Sequence, residues 1–162
     1  MKRGMSRRAF VARVAAAGAV GAASGVNVVA QQTNRVRGFD HVALPMQNTD
    51  AMLTFYRSLG FEMRESAAAV SVYVGSQMIN FHRPSRWQDA SFTLRAPSAR
   101  PPCGDLCFVW DGTADALKAW LDGAKVKIEE GPVPRPGGRK ANGSSVYVRD
   151  PDGNLLEFMI YP

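Results

Sequence analysis

The chain has 162 residues, 46% of them hydrophobic, and a formal net charge of +6. Five of its basic residues and none of its acidic residues lie in the first thirty positions, so the net charge of the remaining chain falls by five to +1. A nearly neutral chain without a stripe of basic and aromatic residues is not expected to bind nucleic acid. About 130 residues are enough for one domain with one hydrophobic core.

The first thirty residues have the composition of an export signal. Basic residues precede a weakly apolar run rich in Gly and Ala, residues 14–26. The segment Ser6–Val11 is similar to the twin-arginine motif, which implies the bacterial twin-arginine translocase as a partner. We expect residues 1–30 to be this signal, residues 31–37 a linker, and the exported protein periplasmic or secreted. The alternative is a membrane anchor, although the run is short of the roughly 20 apolar residues that a span needs.

From residue 38 onwards, alternating strand patterns and helix signals predict two successive βαβββ units, an α+β fold. An irregular segment, residues 83–102, separates the units and is expected to be a linker without packed elements. The predicted elements of the first unit are a strand at 38–45, a helix from Asn48 or Thr49 to Gly60, and strands at 61–67, 70–74 and 77–82. Those of the second are a strand at 103–110, a helix capped by Thr113 and ending at Gly123, and strands at 126–130, 145–149 and 155–161.

Four polar residues fall at places that the repeat predicts to match, His41 and Asp105 on the first strand of each unit and His82 and Glu157 on the last. Apolar neighbours take the opposite strand face, so the four side chains would line a shared cup if the units form one curved mixed sheet. Two imidazoles with one or two carboxylates suit one divalent metal ion, Fe, Mn, Ni, Co or Zn. The alternatives are hydrogen-bonded core histidines, and an Asp105 that caps a backbone amide or hydrogen-bonds a ligand histidine instead of binding the metal.

Three further residues are candidates for the same cup. Tyr73, Tyr147 and Arg149 lie on the predicted cup faces, where they would bind an anionic or enolic substrate or simply pack at the surface. Cys103 and Cys107 are about 13 Å apart along a strand, too far for a disulfide, and are predicted to be buried thiols.

Several motifs together resemble the vicinal oxygen chelate superfamily, which includes glyoxalase I, extradiol dioxygenases and bleomycin-resistance proteins. Within it, the chain is similar to proteins of the glyoxalase domain-containing protein 5 type. The resemblance covers residues 38–162 and implies metal positions at His41, His82 and Glu157, with Asp105 where glyoxalase I usually has histidine or glutamate. The motifs are Phe39–Val42, Ile79–His82, Gly104–Phe108, Gly131–Arg135 and Arg149–Glu157.

The resemblance implies a metal-dependent enzyme whose small substrate chelates the metal through two oxygens. Glu157 or Asp105 would then be the catalytic base of a lyase or isomerase. An extradiol-type dioxygenase and a non-catalytic binding protein that confers resistance are the alternatives, and a homodimer is open. Residues 131–142 are expected to be either a lid over the cup or a plain connecting loop.

Overall fold

A computed structural model describes residues 35–162, so the predicted export signal lies outside the described residues. Eight strands and three helices follow one another in this part of the chain. No helix in the described part is long and apolar enough to cross a membrane. The elements are β1 His41–Pro45, α1 Thr49–Ser58, β2 Glu62–Glu65, β3 Ala69–Val74, β4 Gln77–His82, α2 Pro84–Trp87, β5 Asp105–Val109, α3 Ala114–Gly123, β6 Ile128–Pro136, β7 Asn142–Arg149 and β8 Leu155–Ile160.

The strands form two mixed sheets of four, one from each predicted βαβββ unit. The strand order is β1-β4-β3-β2 in the first module and β5-β8-β7-β6 in the second. In both modules the first strand runs parallel to the last, and the remaining pairs are antiparallel. The predicted α+β fold of two βαβββ modules is therefore confirmed. The expectation of a single continuous sheet is refined, because no ladder joins β1 to β5 among the described residues.

One hydrophobic core serves both modules, which lie in one compact unit. The apolar face of α1 contributes Tyr56, which is fully buried and packs on Phe81 with ring centroids 5.3 Å apart. Across the modules, the rings of Phe61 and Phe108 lie 6.0 Å apart. Burial of this many large side chains is the main stabilising contribution to such a domain. Because the core lies on one side of each sheet, the opposite side is left for polar residues.

The helix termini agree partly with the sequence signals. Thr113 caps α3 as predicted, because its hydroxyl accepts a hydrogen bond from the backbone N–H of Ala116 at 3.2 Å. Asn48 precedes α1, but its side chain makes no capping bond and donates instead to Asp152 at 2.9 Å. A contact between residues more than a hundred positions apart is invisible to a local capping rule.

Two segments that the sequence presents as irregular are ordered. Within the predicted linker 83–102, residues Pro84–Trp87 form the short helix α2, and Trp87 is buried with its indole N–H donating to the carbonyl of Met46 at 2.8 Å. The supposed lid or loop, residues 131–142, is mostly strand, since β6 continues to Pro136 and β7 begins at Asn142. Gly131 permits this, because a Cβ there would lie 2.4 Å from the carbonyl oxygen of Ser145.

Candidate functional site

The predicted site residues lie on the sheet faces that point away from the core. On β8, Leu156 and Phe158 are buried in the core, so Glu157 between them projects to the other side. On β4, the buried Ile79 and Phe81 alternate in the same way with Asn80 and His82. The predicted alternation therefore places the side chains of Glu157 and His82 on the face away from the core.

The register of the parallel pairs corrects the repeat match between His82 and Glu157. In the first module His41 is opposite Met78, and in the second Asp105 is opposite Leu155. Glu157 lies two residues after Leu155, so its counterpart is the residue two after Met78, which is Asn80. His82 is two residues further on and corresponds to Met159. The sequence spacing missed this because the two units differ in length between their first and last strands.

The two histidines are therefore separated along the sheet. His82 is opposite Pro45, four residues from His41 on β1, which corresponds to about 13 Å along the strand. The side chain of His41 is 47% exposed, and its Nδ1 hydrogen-bonds Asp40 at 2.7 Å. A carboxylate in this position orients the ring and sets which nitrogen carries the proton.

His82 lies in a more enclosed environment. Its Nε2 is 3.4 Å from the side-chain nitrogen of Asn80, and its ring meets the ring of Phe92 edge to face at 5.2 Å. Burial lowers the pKa of His82 below its usual value, and the positive charges of Arg86 and His41 lower it further. His82 is accordingly neutral near pH 7, a state in which an imidazole accepts a proton or binds a metal.

Glu157 is half-buried and held from a neighbouring strand. The hydroxyl of Ser145 on β7 donates a short hydrogen bond to its carboxylate, and Tyr147 lies directly opposite it in the ladder. The thiol of Cys107 lies beside it, opposite Glu157 on β5. Partial burial of the sulfur, the charge of Glu157, a hydrogen bond to Glu157 and then the charge of Asp105 raise the pKa of Cys107 to about 12. This thiol therefore stays protonated, which is unfavourable for a nucleophile.

The cysteines differ from the expectation of buried thiols, since both Cys103 and Cys107 are exposed residues without a disulfide. Cys107 lies on β5, the edge strand of its sheet, and projects to the face opposite the core, whereas Cys103 precedes that strand. An edge strand has no neighbour on one side to cover it. The prediction that the two do not bond to each other agrees with the structure.

The three predicted substrate-binding residues are scattered. Tyr147 adjoins Glu157, and its hydroxyl accepts a hydrogen bond from Arg135 Nε at 3.0 Å. Tyr73 lies on β3 opposite Met78, at the His41 end of the first sheet. Arg149 is engaged elsewhere, because its Nε pairs with Glu129 at 2.7 Å and its Nη1 donates to the carbonyl of Gly153.

A cleft of about 420 Å³ opens between the edge strands β1 and β5. It is lined by His41 and Met78 from the first module and by Cys107 and Val109 from the second. A larger depression of about 880 Å³ lies between α1 and the segment after α3; it includes Arg149 but none of the four predicted ligands. Of the four predicted ligands, only His41 lines the first cleft, and His82, Asp105 and Glu157 line neither of these two cavities.

The four predicted ligands do not form a metal site as they stand. Their chemistry suits a divalent cation, but within residues 35–162 no group of three His, Cys, Asp or Glu side chains is placed to hold one. Glu157 and Asp105 belong to the second module and His41 and His82 to the first, where they lie four positions apart.

The chain was compared with known protein families and structures. Residues 38–158 match the model of the glyoxalase/bleomycin resistance protein/dioxygenase superfamily. The chain belongs to this superfamily. The match spans both βαβββ modules, including every predicted site residue.

Several named proteins and solved structures are similar to this chain. The chain is 36% identical over 135 residues to the glyoxalase domain-containing protein RDO1 of Mycosarcoma maydis, covering 81% of this chain and 72% of that protein. It is similar to the structure of an integron cassette protein from V. cholerae, with 30% identity, a TM-score of 0.69 and coverage of 80% of this chain and 98% of the other. A lactoylglutathione lyase from Agrobacterium tumefaciens shows 25% identity and a TM-score of 0.59, covering 78% and 96%.

The sequence pattern does not single out two residues of the candidate site, Asn80 and Ser145. The ladder places Asn80 at the counterpart of Glu157, a position to which the sequence pattern assigns no role. Ser145 orients that carboxylate. No signal in the sequence could have found Asn80, because the register between β1 and β4 is set by hydrogen bonds in the folded chain.

Proposed function

We propose that this protein is a glyoxalase-like enzyme that catalyses a lyase or isomerase reaction on a small molecule with two adjacent oxygen atoms. The observation that carries the proposal is Glu157, a half-buried carboxylate on the sheet face away from the core, held by Ser145. A carboxylate in such a position is costly unless it has a partner or a task. Superfamily membership and the similarity to a lactoylglutathione lyase support this reaction class.

The proposed role of Glu157 is proton transfer. Its carboxylate removes a proton from the carbon next to a substrate carbonyl, which leaves an enolate, and returns that proton to the adjacent carbon or oxygen. Tyr147 lies beside it and accepts a hydrogen bond from Arg135, so its own O–H remains to donate to the enolate oxygen. Asp105, exposed at the start of β5, is the alternative base.

The divalent metal that the resemblance implies stays a prediction. When bound, such an ion supplies Lewis-acid stabilisation of substrate oxygens. Metal analysis of protein purified without chelator tests it, using His41→Ala, Glu157→Ala and His82→Ala. Because His82 is four ladder positions from His41, we expect the first two variants to lose metal and the third to keep it. Loss of metal in His82→Ala would place that residue among the ligands after all.

The activity is tested by assaying the purified protein with 2-oxoaldehyde–thiol adducts and with catechols, with and without oxygen. We expect turnover of the adducts without oxygen, and a loss of about 10²- to 10⁴-fold in kcat for Glu157→Gln. Glu62→Gln is the matched control, because Glu62 is exposed and its nearest cation, Arg64, is 3.9 Å away. Oxygen consumption with ring cleavage would identify a dioxygenase, and saturable binding without turnover would identify a binding protein.

A further inference from the structure

The ordered segment after β4 contains an unusual concentration of arginine. Between residues 83 and 102 there are four arginines and one aspartate. Arg83 is paired with Glu65 at 2.7 Å, and Arg86 lies over the ring of Phe92 at 3.7 Å. The other two, Arg95 and Arg100, form no ion pair with any described residue.

These two arginines flank a cavity of about 260 Å³, whose other lining residues are Trp87 and Gln88. The polar side-chain groups of its lining are two guanidinium groups, an indole N–H and an amide, and no carboxylate lines it. A cationic pocket without its own counter-charge is complementary to an anion. Trp87 is held in place by its hydrogen bond to Met46, so one wall of the cavity is fixed.

The guanidinium of Arg95 is arranged with one edge unused. Its Nη1 donates to the carbonyls of Ala96 at 3.4 Å and Pro97 at 3.2 Å. Its Nε is buried and has no hydrogen-bond partner. A buried donor without a partner is costly, and the Nε–Nη2 edge is the one that binds an oxyanion through two parallel hydrogen bonds. Arg83 also has an unpaired Nε, but its charge is already matched by Glu65.

The cavity adjoins the candidate site. A smaller cavity of about 70 Å³ shares Trp87 and Arg95 with it and is lined on its other side by His82, Ala43 and Pro45. Leu94, Ala96 and Ala99 contribute apolar side chains to the lining of this smaller cavity. An elongated small molecule with an anionic end therefore fits with that end at the arginines and its other end towards His82.

From these observations we infer that Arg95 and Arg100 form a binding site for the oxyanion group, carboxylate or phosphate, of a small molecule whose other end lies near His82. The oxyanion site stands on the arginine geometry alone. Its assignment to the substrate rests on the proposed function. His82 then contacts the bound small molecule. Its position in the ladder agrees with this, because Asn80 and not His82 corresponds to Glu157.

The test is a titration with sodium phosphate and, separately, with sodium acetate, with sodium chloride at matched ionic strength as the control. Binding is monitored through the NMR signal of the Arg95 Nε–H. We expect saturable binding of phosphate, acetate or both, and their relative affinities tell the two sources of the oxyanion apart. Arg100→Gln should weaken binding at least about tenfold, since a charge-assisted hydrogen bond is lost. That side chain is exposed and forms no ion pair, so the variant should fold.

Further variants make the result decisive. Arg95→Lys keeps the charge but lacks the Nε edge and should also bind the anion at least about tenfold more weakly. Arg139→Gln removes one positive charge from the turn between β6 and β7 and should bind as the wild type does. Glu157→Gln should keep oxyanion binding even where turnover is lost, which separates this site from the proposed reaction. No saturable signal with either anion, or equal weakening in Arg139→Gln, would overturn the inference.

Discussion

The carboxylate of Asp152 accepts the backbone N–H of Asn48 at 2.8 Å, across 104 residues of chain. Its second oxygen accepts the backbone N–H of Gln47 at 2.6 Å. The turn between β7 and β8 therefore holds the start of α1, and so joins the second module to the first. The neighbouring Asp150 extends this tie, since it accepts a hydrogen bond from the hydroxyl of Tyr56 at 3.2 Å.

Asp152→Ala is expected to lower the free energy of unfolding by about 1–2 kcal/mol. In this variant two backbone N–H groups and the side-chain amide of Asn48 lose the carboxylate as their hydrogen-bond acceptor and bond to water instead. Urea unfolding measures this. Asp111→Ala, an exposed aspartate with no hydrogen bond or ion pair, is the control and should change stability by less than about 0.5 kcal/mol. An equal effect of the two variants would show that the turn does not tie the modules together.

The lowered pKa of His82 predicts that the free energy of unfolding depends on pH. Burial first, and then Arg86 and His41, lower the pKa of His82 from 6.5 in the folded chain. As the pH falls through about 6.5, the unfolded chain therefore takes up the proton before the folded chain does, and stability decreases. Above that pH the contribution is complete. In metal-free protein, urea unfolding between about pH 5 and about pH 8 should show this slope, and His82→Gln should reduce it. An unchanged slope in the variant would contradict the prediction.

Cys107 is predicted to be unreactive in spite of its exposure. With its pKa raised to about 12, its thiolate fraction at neutral pH is on the order of a thousandfold below that of a free cysteine. Alkylation by iodoacetamide, followed by peptide mass spectrometry, measures the rate. Glu157→Gln should accelerate the reaction, because it removes the negative charge that is the second cause of the shift. Rapid alkylation in the wild type would disprove this environment for the thiol.

Export by the twin-arginine route remains a prediction from the N-terminal residues, which the structure does not describe. Replacing Arg7 and Arg8 together by lysine should leave the uncleaved precursor in the cytoplasm, because the translocase reads the arginine pair. Arg3→Lys is the matched control and should be exported normally. Cell fractionation with immunoblotting measures the distribution, and a periplasmic double variant would exclude this route.

The sequence by itself determined the two βαβββ modules and the outward face of each strand. Alternation in Val146–Val148 and Leu156–Phe158 is local, so it is legible without a fold. The same is true of the Thr113 cap, whose partner is three residues away. Superfamily motifs, most of which lie on strands, added the resemblance that the family comparison bears out.

Only the tertiary structure decided which residues lie opposite one another. Strand register depends on hydrogen bonds between distant segments, and a shift of two residues leaves every side chain on the same face. Sequence spacing therefore allowed His82 to be matched with Glu157, whereas the ladder matches Asn80 with it. For the same reason, the tie from Asp152 to α1 and the cavity beside Arg95 emerge only once the chain is folded, because the groups that form them are distant in sequence or share no periodic pattern.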